Sequence, residues 1–495
     1  MKIFHSEKYL LKNSIAVFII VFIGVTSAFL KSRSLHDSLI LDEIYTVITS
    51  RAPFWTLIMG IRYDPAYPPL YYLITKYWIF IAGNSEVALR SLSIIFDGLS
   101  YILFAFITRK IFKKPLWISM CFWFASSHLL FTLSRYARAY SLILLLSLLT
   151  FFLFYYFLSK TRNFLYWGAA TFVCCLIGIY THYCFILFYL FCITTYSIQF
   201  QKNPFALKKI GIFSVLLGYF YLPWAWLFIR NQFWPNAAWQ SFATHYGNRW
   251  NGLESWIETL SNGFLPYTLP DVYRYISAIL FFCIIDIILL KTYLHIKNSC
   301  IKKSVLLFTL ISMNSVLFTP IHNVFDLPRY CMYIIPMLII SFGIVADEIK
   351  SRLYAIVPIT CIVMYSCISL LRFPYSSPNE NWRNLAETMS KITLHNAVIL
   401  FEPCPLGFAF DYYYRGTLPR YCFYQNPKKM YLTIWQPKET DTIYFITYRD
   451  ATKEHVMEDT YGQFMSYYSK TTQSFGEITL ITYQKNHPFS SNGRY

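Results

Sequence analysis

The chain has 495 residues, of which 56% are hydrophobic, 20% aromatic and only 14% charged, and it carries a formal net charge of +18. This composition excludes a water-soluble globular protein of such length, whose surface would need far more Lys, Glu and Asp. The positive balance does not point to nucleic acid either, because Lys and Arg lie mainly in short loops between apolar runs, where they report membrane topology.

In chain order, Lys2, Lys8 and Lys12 precede a first apolar run, 14–30, with no persuasive cleavage site after it. An uncleaved first span is expected. Further runs follow at 86–108, 115–134, 139–158, 163–181, 183–200, 210–229, 273–291, 304–320, 330–346 and 353–371. About 20 residues cross a bilayer core as a helix, so a polytopic α-helical protein of about eleven spans is expected. With a cytoplasmic N-terminus, the loops "RKIFKK" (109–114), "SKTR" (159–162), "QKNPFALKK" (201–209), "KTYLHIKNSCIKK" (291–303) and "DEIKSR" (347–352) all fall inside. Each holds at least two basic residues, as the positive-inside rule requires. The stretch 67–83 is also apolar, but counting it as a span would put "RKIFKK" outside. It is expected to be a juxtamembrane or re-entrant helix on the outer face, with Pro68 and Pro69 at its first turn.

After Leu371 the composition changes. A capped amphipathic helix ("NENWRNLAETMSKI") is followed by strand-like runs at 397–402, 442–448 and 477–483, with helical stretches such as "PLGFAFDYYYRG" between them. Two domains are expected: a membrane domain over 1–372 with a long outer loop at 31–85, and a soluble α/β domain over 373–495, also outside by the same parity. Most of the 12 cysteines lie in apolar runs and read as packing residues. Cys404 and Cys422 alone lie in the C-terminal domain, where an oxidising compartment would pair them.

The unusual polar residues collect on one face. Loop 31–85 is too long for a plain connector and holds the adjacent carboxylates Asp42 and Glu43, with Asp64 further on. The outer turns "LSRYARAYSL", "IYTHYCF" and "HNVFDLPRYCMYIIP" carry Arg135, Arg138, His182, Arg329 and Tyr330. Arginine is disfavoured on that side, and anion binding is the simplest reason for it, since the guanidinium fork matches phosphate oxygens. Carboxylates, cations and flat aromatic faces together suit displacement at a sugar carbon. A carboxylate takes the acceptor's proton, the sugar passes through an oxocarbenium-like state, and cations stabilise the departing phosphate. Plainer readings stand beside these. Asp42 and Glu43 also suit a solvated helix start; Arg135 suits a snorkelling side chain; His182 suits a buried interface histidine; Asp64 suits a turn cap before Pro65; Tyr330 suits the aromatic belt. Asp97 and Asp286 lie within spans. Intramembrane acids are functional candidates and fit a rival class, a lipid or lipid-linked-sugar transporter; for Asp97 an interhelical hydrogen bond, protonated or paired, is the preferred reading.

Six motifs in order, "LDEIYT", "YDPAYPPLYYLI", "GNSEVALRSLSII", "SRYARAYSLILLL", "PRYCMYIIPML" and "ENWRNLAETM", resemble the GT-C superfamily of integral-membrane glycosyltransferases. The likeness is to the protein-O-mannosyltransferase-like and lipid A aminoarabinose-transferase-like branch. It implies a sugar donor on a polyprenyl or dolichyl phosphate, an acceptor at the outer face of a cell membrane, and inversion by a single displacement. It maps the base or acceptor organiser onto Asp42, with Glu43 beside it, and the donor phosphate onto Arg138 and Arg329. The sequence departs from the family where Tyr67 stands in place of a His and Tyr136 in place of an acid. A divalent metal near Asp42 and Glu43 is compatible with paired carboxylates, although no ligand spacing demands one.

Overall fold

The computed structural model describes residues 2–58, 68–112, 116–159, 162–232, 271–297, 299–318, 329, 332–349, 380–392, 396–423, 440–448, 457, 461 and 465–486. They form two units. A helical unit takes the described residues of Met1–Leu35, Ala52–Gln232 and Phe242–Phe373, and a sheet unit takes those of His36–Arg51 and Pro374–Tyr495.

The helical unit begins with α1 (Lys2–Ser32). After the segment that includes α2 (Leu41–Arg51) it resumes with α3 (Phe54–Ile58) and α4 (Leu70–Ala82). Next come α5 (Glu86–Ile111), α6 (Leu116–Ser126), α7 (His128–Leu133), α8 (Tyr140–Ser159), α9 (Phe164–Thr181), α10 (Cys184–Gln199) and α11 (Pro204–Gln232). It continues with α12 (Asp271–His295), α13 (Cys300–Phe318) and α14 (Ile334–Glu348). Helices therefore stand where ten of the eleven expected spans were placed; the run 353–371 lies outside the described residues. Five of them, over Ser14–Ser32, Glu86–Ile111, Tyr140–Ser159, Phe164–Thr181 and Pro204–Leu227, are long and apolar enough among the described residues to cross a membrane. Phe18, Phe22, Leu165, Val215 and Tyr219 are each more than half exposed. A helical surface of this kind is stable against hydrocarbon, not water, and the unit is built as a multi-pass membrane protein.

Within the bundle, α8 is buried along most of its length, and Phe151, Phe154, Phe188, Tyr196 and Phe308 interlock around it. Ser85 caps α5 by accepting the Ala88 N–H at 3.2 Å. One expectation is corrected. The run 115–134 is not a continuous span but breaks between α6 and α7, where Ser127 adopts an extended conformation (φ −60°, ψ 118°). Two consecutive serines invite this: Ser126 Oγ turns back to the Trp123 carbonyl at 3.3 Å, and such local bonds compete with the helical ladder. The stretch 67–83 gives the 13-residue α4, about 20 Å long and too short by itself for a core of about 30 Å.

The two acids within the spans each have a partner. Lys31 Nζ donates to Asp97 Oδ2 at 2.5 Å, with both side chains buried. Asn314 Nδ2 donates to Asp286 Oδ2 at 2.8 Å. Asp97 is thus paired, as preferred above.

The sheet unit holds α2, α15 (Trp382–Ser390), α16 (Leu406–Tyr413) and strands β1 (Ala397–Glu402), β2 (Arg420–Cys422), β3 (Thr442–Tyr448), β4 (Tyr468–Phe475) and β5 (Ile478–Lys485). The strand order is β2-β1-β3-β5-β4, with β1 parallel to β2 and β3, and β5 antiparallel to β3 and β4. Alternation sorts the strand residues. Val398, Leu400, Ile443 and Phe445 join Tyr468, Ile481 and Tyr483 on one face, while Phe401 meets Phe410 of α16 on the other, ring centroids 5.4 Å apart. Central β1 is buried throughout, whereas edge strand β4 is largely exposed. Cys404 and Cys422 form the expected disulfide, Cα atoms 5.0 Å apart.

Candidate active site

The segment "SLILDEIYT" starts α2 in the sheet unit, and side chains satisfy its leading N–H groups one after another. Leu39 N–H donates to the Tyr413 hydroxyl at 2.9 Å, Ile40 N–H to Glu43 Oε2 at 3.0 Å, and Leu41 N–H to Glu380 Oε2 at 2.7 Å. The bond from Ile40 to Glu43 is the reciprocal half of a capping box, so Glu43, fully buried, is a structural acceptor at the helix start. Asp42, between Leu41 and Glu43, is half-buried. Tyr45 packs on Phe408 of α16 (5.5 Å) and Arg51 lies over the Tyr412 ring (5.6 Å).

Two further partners of this segment, Glu380 and Arg383, come from "ENWRN" (380–384). Glu380 also accepts from Trp382 Nε1 at 2.6 Å and from the Tyr448 hydroxyl at 3.3 Å. Asn381 caps α15 through the Asn384 N–H, at 3.3 Å. Trp382 is buried in the unit's core. Arg383 donates its backbone N–H to Ser38 Oγ at 3.2 Å and its guanidinium to the His36 carbonyl at 3.1 Å. Burial pushes the Glu380 carboxyl up to about 7; hydrogen bonds from Trp382 and Leu41 oppose this, while Asp42 and Glu477 add to it. Sequence reasoning quoted this motif but missed Glu380; the signal was an acidic residue directly before an N-cap Asn.

In the helical unit, the structure brings Arg138 and His182 together. Arg138 is buried in the turn before α8, its carbonyl accepting from Ser93 Oγ of α5 at 3.3 Å. His182 ends α9, its N–H bonded to the Gly178 carbonyl at 3.1 Å. Its Nδ1 accepts the Cys184 N–H at 3.0 Å, which places the ring proton on Nε2. Burial, and then the Arg138 charge, push His182 down to about 3, so the ring is neutral. Tyr140, unnoticed in the sequence, lies beside it with ring centroids 6.3 Å apart, its buried hydroxyl without a hydrogen-bond partner among the described residues. Arg138 and Tyr140 thus both neighbour His182, which gathers a guanidinium, a phenol and an imidazole in one region of the helical unit. Arg135 lies over the Phe131 ring at 5.9 Å. Arg329 is half-buried in the same unit. Asp64 and Tyr330 lie outside the described residues.

No group of three His, Cys, Asp or Glu side chains able to hold a metal stands among the described residues. Glu43 is committed to the Ile40 N–H, and adjacent helical residues diverge by about 100°.

A helical unit with exposed apolar helices, together with a small mixed sheet, is a fold this chain shares with solved structures of low sequence identity. ArnT from Cupriavidus metallidurans carries it in the apo state (TM-score 0.62, 12% identity, 95% of this chain and 98% of that one). So does ArnT bound to undecaprenyl phosphate (TM-score 0.60, 13% identity, 94% and 97%). The archaeal oligosaccharyltransferase AglB from Archaeoglobus fulgidus, in complex with an inhibitory peptide and a dolichol-phosphate, matches at TM-score 0.54 and 11% identity over 97% of this chain and 75% of that one. No family model matches the sequence, and no curated protein does.

Proposed function

We propose that the protein is a membrane glycosyltransferase that moves one sugar from a polyprenyl-phosphate donor to a lipid, glycan or protein acceptor at the outer face of the cell membrane. The observation that carries this reading is the start of α2. Three successive N–H groups are held by side chains, so the half-buried Asp42 carboxylate stands on a backbone that cannot fray. Rigid placement of this kind is what a catalytic carboxylate needs. The neighbours reinforce it, since one is bound to undecaprenyl phosphate and another to a dolichol-phosphate.

Asp42 takes the proton of the acceptor hydroxyl as that oxygen attacks the anomeric carbon. The bond from this carbon to the phosphate oxygen breaks in the same displacement, with inversion, and the negative charge departs on the polyprenyl phosphate. Arg138 and Arg329 hold that phosphate. Tyr140 and the Nε2–H of His182 are neutral donors beside Arg138, and the sequence adds Asp64 and Tyr330 as substrate-binding residues. Glu43 fixes the helix start from which Asp42 acts. The transporter reading drew on Asp97 and Asp286, and one oxygen of each is bonded, to Lys31 and to Asn314.

Purified protein in detergent, given a panel of undecaprenyl-phosphate hexoses and pentoses with an envelope lipid extract, should release undecaprenyl phosphate. A transporter would release none. Asp42→Asn should lower turnover by about 10²- to 10⁴-fold, the usual worth of general-base assistance, while undecaprenyl phosphate still binds. Arg138→Ala should instead weaken undecaprenyl phosphate binding. No release by the wild-type protein from any donor of the panel, or full turnover by Asp42→Asn, would sink the assignment.

A further inference from the structure

We propose that Glu380 is the positioning residue for Asp42: it acts as a fixed hydrogen-bond acceptor that holds the first turn of α2, and it does so by geometry and not by charge. The inference rests on the assignment of Asp42 as the base.

Glu380 and Leu41 are 339 positions apart in the chain, yet the 2.7 Å bond between them lies at the first helical residue, one before Asp42. A helix start leaves its leading N–H groups without intrahelical acceptors. Usually a neighbouring side chain or water fills that role; here a carboxylate from a distant motif does. Its own orientation is overdetermined. Oε2 takes both the Leu41 N–H and the Trp382 Nε1–H, while Oε1 faces the Tyr448 hydroxyl. Trp382 is fully buried, and Asn381 anchors the helix that carries it, so the acceptor is built on a rigid element. Tyr413 and Ser38 add bonds on either side of the same loop.

The geometry works with a neutral acceptor. Burial already disfavours the charged carboxylate. A protonated Glu380 keeps Oε2 for its two donors and turns Oε1–H toward the Tyr448 oxygen. A glutamine reproduces that arrangement: its carbonyl takes both donors and its NH2 faces Tyr448. An aspartate keeps the charge but withdraws the oxygens by one methylene.

The test compares Glu380→Gln and Glu380→Asp in the full chain, with Asp42→Asn as reference. Release of undecaprenyl phosphate from the same donor panel gives kcat and KM, and amide hydrogen exchange reports residues 39–42. Glu380→Gln should keep turnover and exchange near wild type. Glu380→Asp should lower kcat about 10- to 100-fold with the donor KM unchanged, the scale of a displaced catalytic group. It should also speed exchange at Leu41 by about tenfold, for one hydrogen bond lost. Equal loss in both variants, or the reverse order, would show that the charge matters, and wild-type kcat in Glu380→Asp would show a mere cap; each result overturns the proposal while leaving Asp42 as the base. Full turnover by Asp42→Asn overturns the base assignment, and the positioning role with it.

Discussion

At residue scale, the buried charges carry distinct consequences. Glu380 has its carboxyl raised from the ordinary 4.5 to about 7, chiefly by burial. A carboxyl raised in the folded state contributes stability that is complete below its unfolded value and is lost as pH climbs through the folded one. The groups facing it are Trp382 and Tyr448, Leu41 at the start of α2, and the acids Asp42 and Glu477. Thermal unfolding in detergent should therefore show stability falling from about pH 4.5 to about pH 7, by roughly 3 kcal/mol. Glu380→Gln should flatten that slope; an unchanged slope would place its source elsewhere. In the helical unit, Lys31 and Asp97 form the opposite kind of site, a pair in which each charge compensates the other. Asp97→Asn strands the ammonium and should cost about 3–5 kcal/mol, whereas Lys31→Met with Asp97→Leu should recover most of it. Retained sugar transfer in the double variant would confirm a structural pair; lost transfer with folded yield intact would return Asp97 to the list of functional acids.

At the scale of elements, the turn between α9 and α10 is set by a small residue. A Cβ on Gly178 would collide with the Phe185 ring, and the Gly178 carbonyl is the acceptor for the His182 N–H. Gly178→Ala must push the ring, the turn or both, at about 1–3 kcal/mol for an overpacked site. Because His182 neighbours Arg138, binding of undecaprenyl phosphate should weaken in parallel with the fall in melting temperature; unchanged binding would detach this turn from the phosphate subsite. The sheet unit shows how elements were read and missed. β1, β3 and β5 are continuous apolar or alternating runs and were legible. β2 has three residues, and β4 ("YSKTTQSF") is polar because it is an edge strand with little to bury, so neither left a hydrophobic pattern to read.

At the scale of the whole molecule, the prediction concerns sidedness. In a cysteine-depleted variant, an impermeant thiol reagent added to intact cells should label Cys placed at 36 or 477 and not at 110. The reverse pattern would invert the topology and remove the candidate site from the outer face. Non-reducing peptide mapping of the native chain should recover Cys404 joined to Cys422. Breaking that bond, with a sequence separation of 18, should cost the sheet unit about 3 kcal/mol.

Much of this was determined by the sequence alone. Helices appear where apolar length demanded them, because hydrocarbon leaves a backbone no other way to satisfy its N–H and C=O groups. The carboxylates, the arginines and the histidine were visible as polar residues in places where lipid makes polarity expensive. Tertiary structure alone decided what each does. Asp42 and Glu43 look equivalent in the chain, yet one is half-buried and the other fully buried as a cap on Ile40. Glu380 and Tyr413 gave no sign of touching residues 39–41, since hydrogen bonds across more than 300 positions leave no periodicity in a sequence. The neutral state of His182 follows from burial beside Arg138, and burial depends on the folded surroundings, which composition does not record.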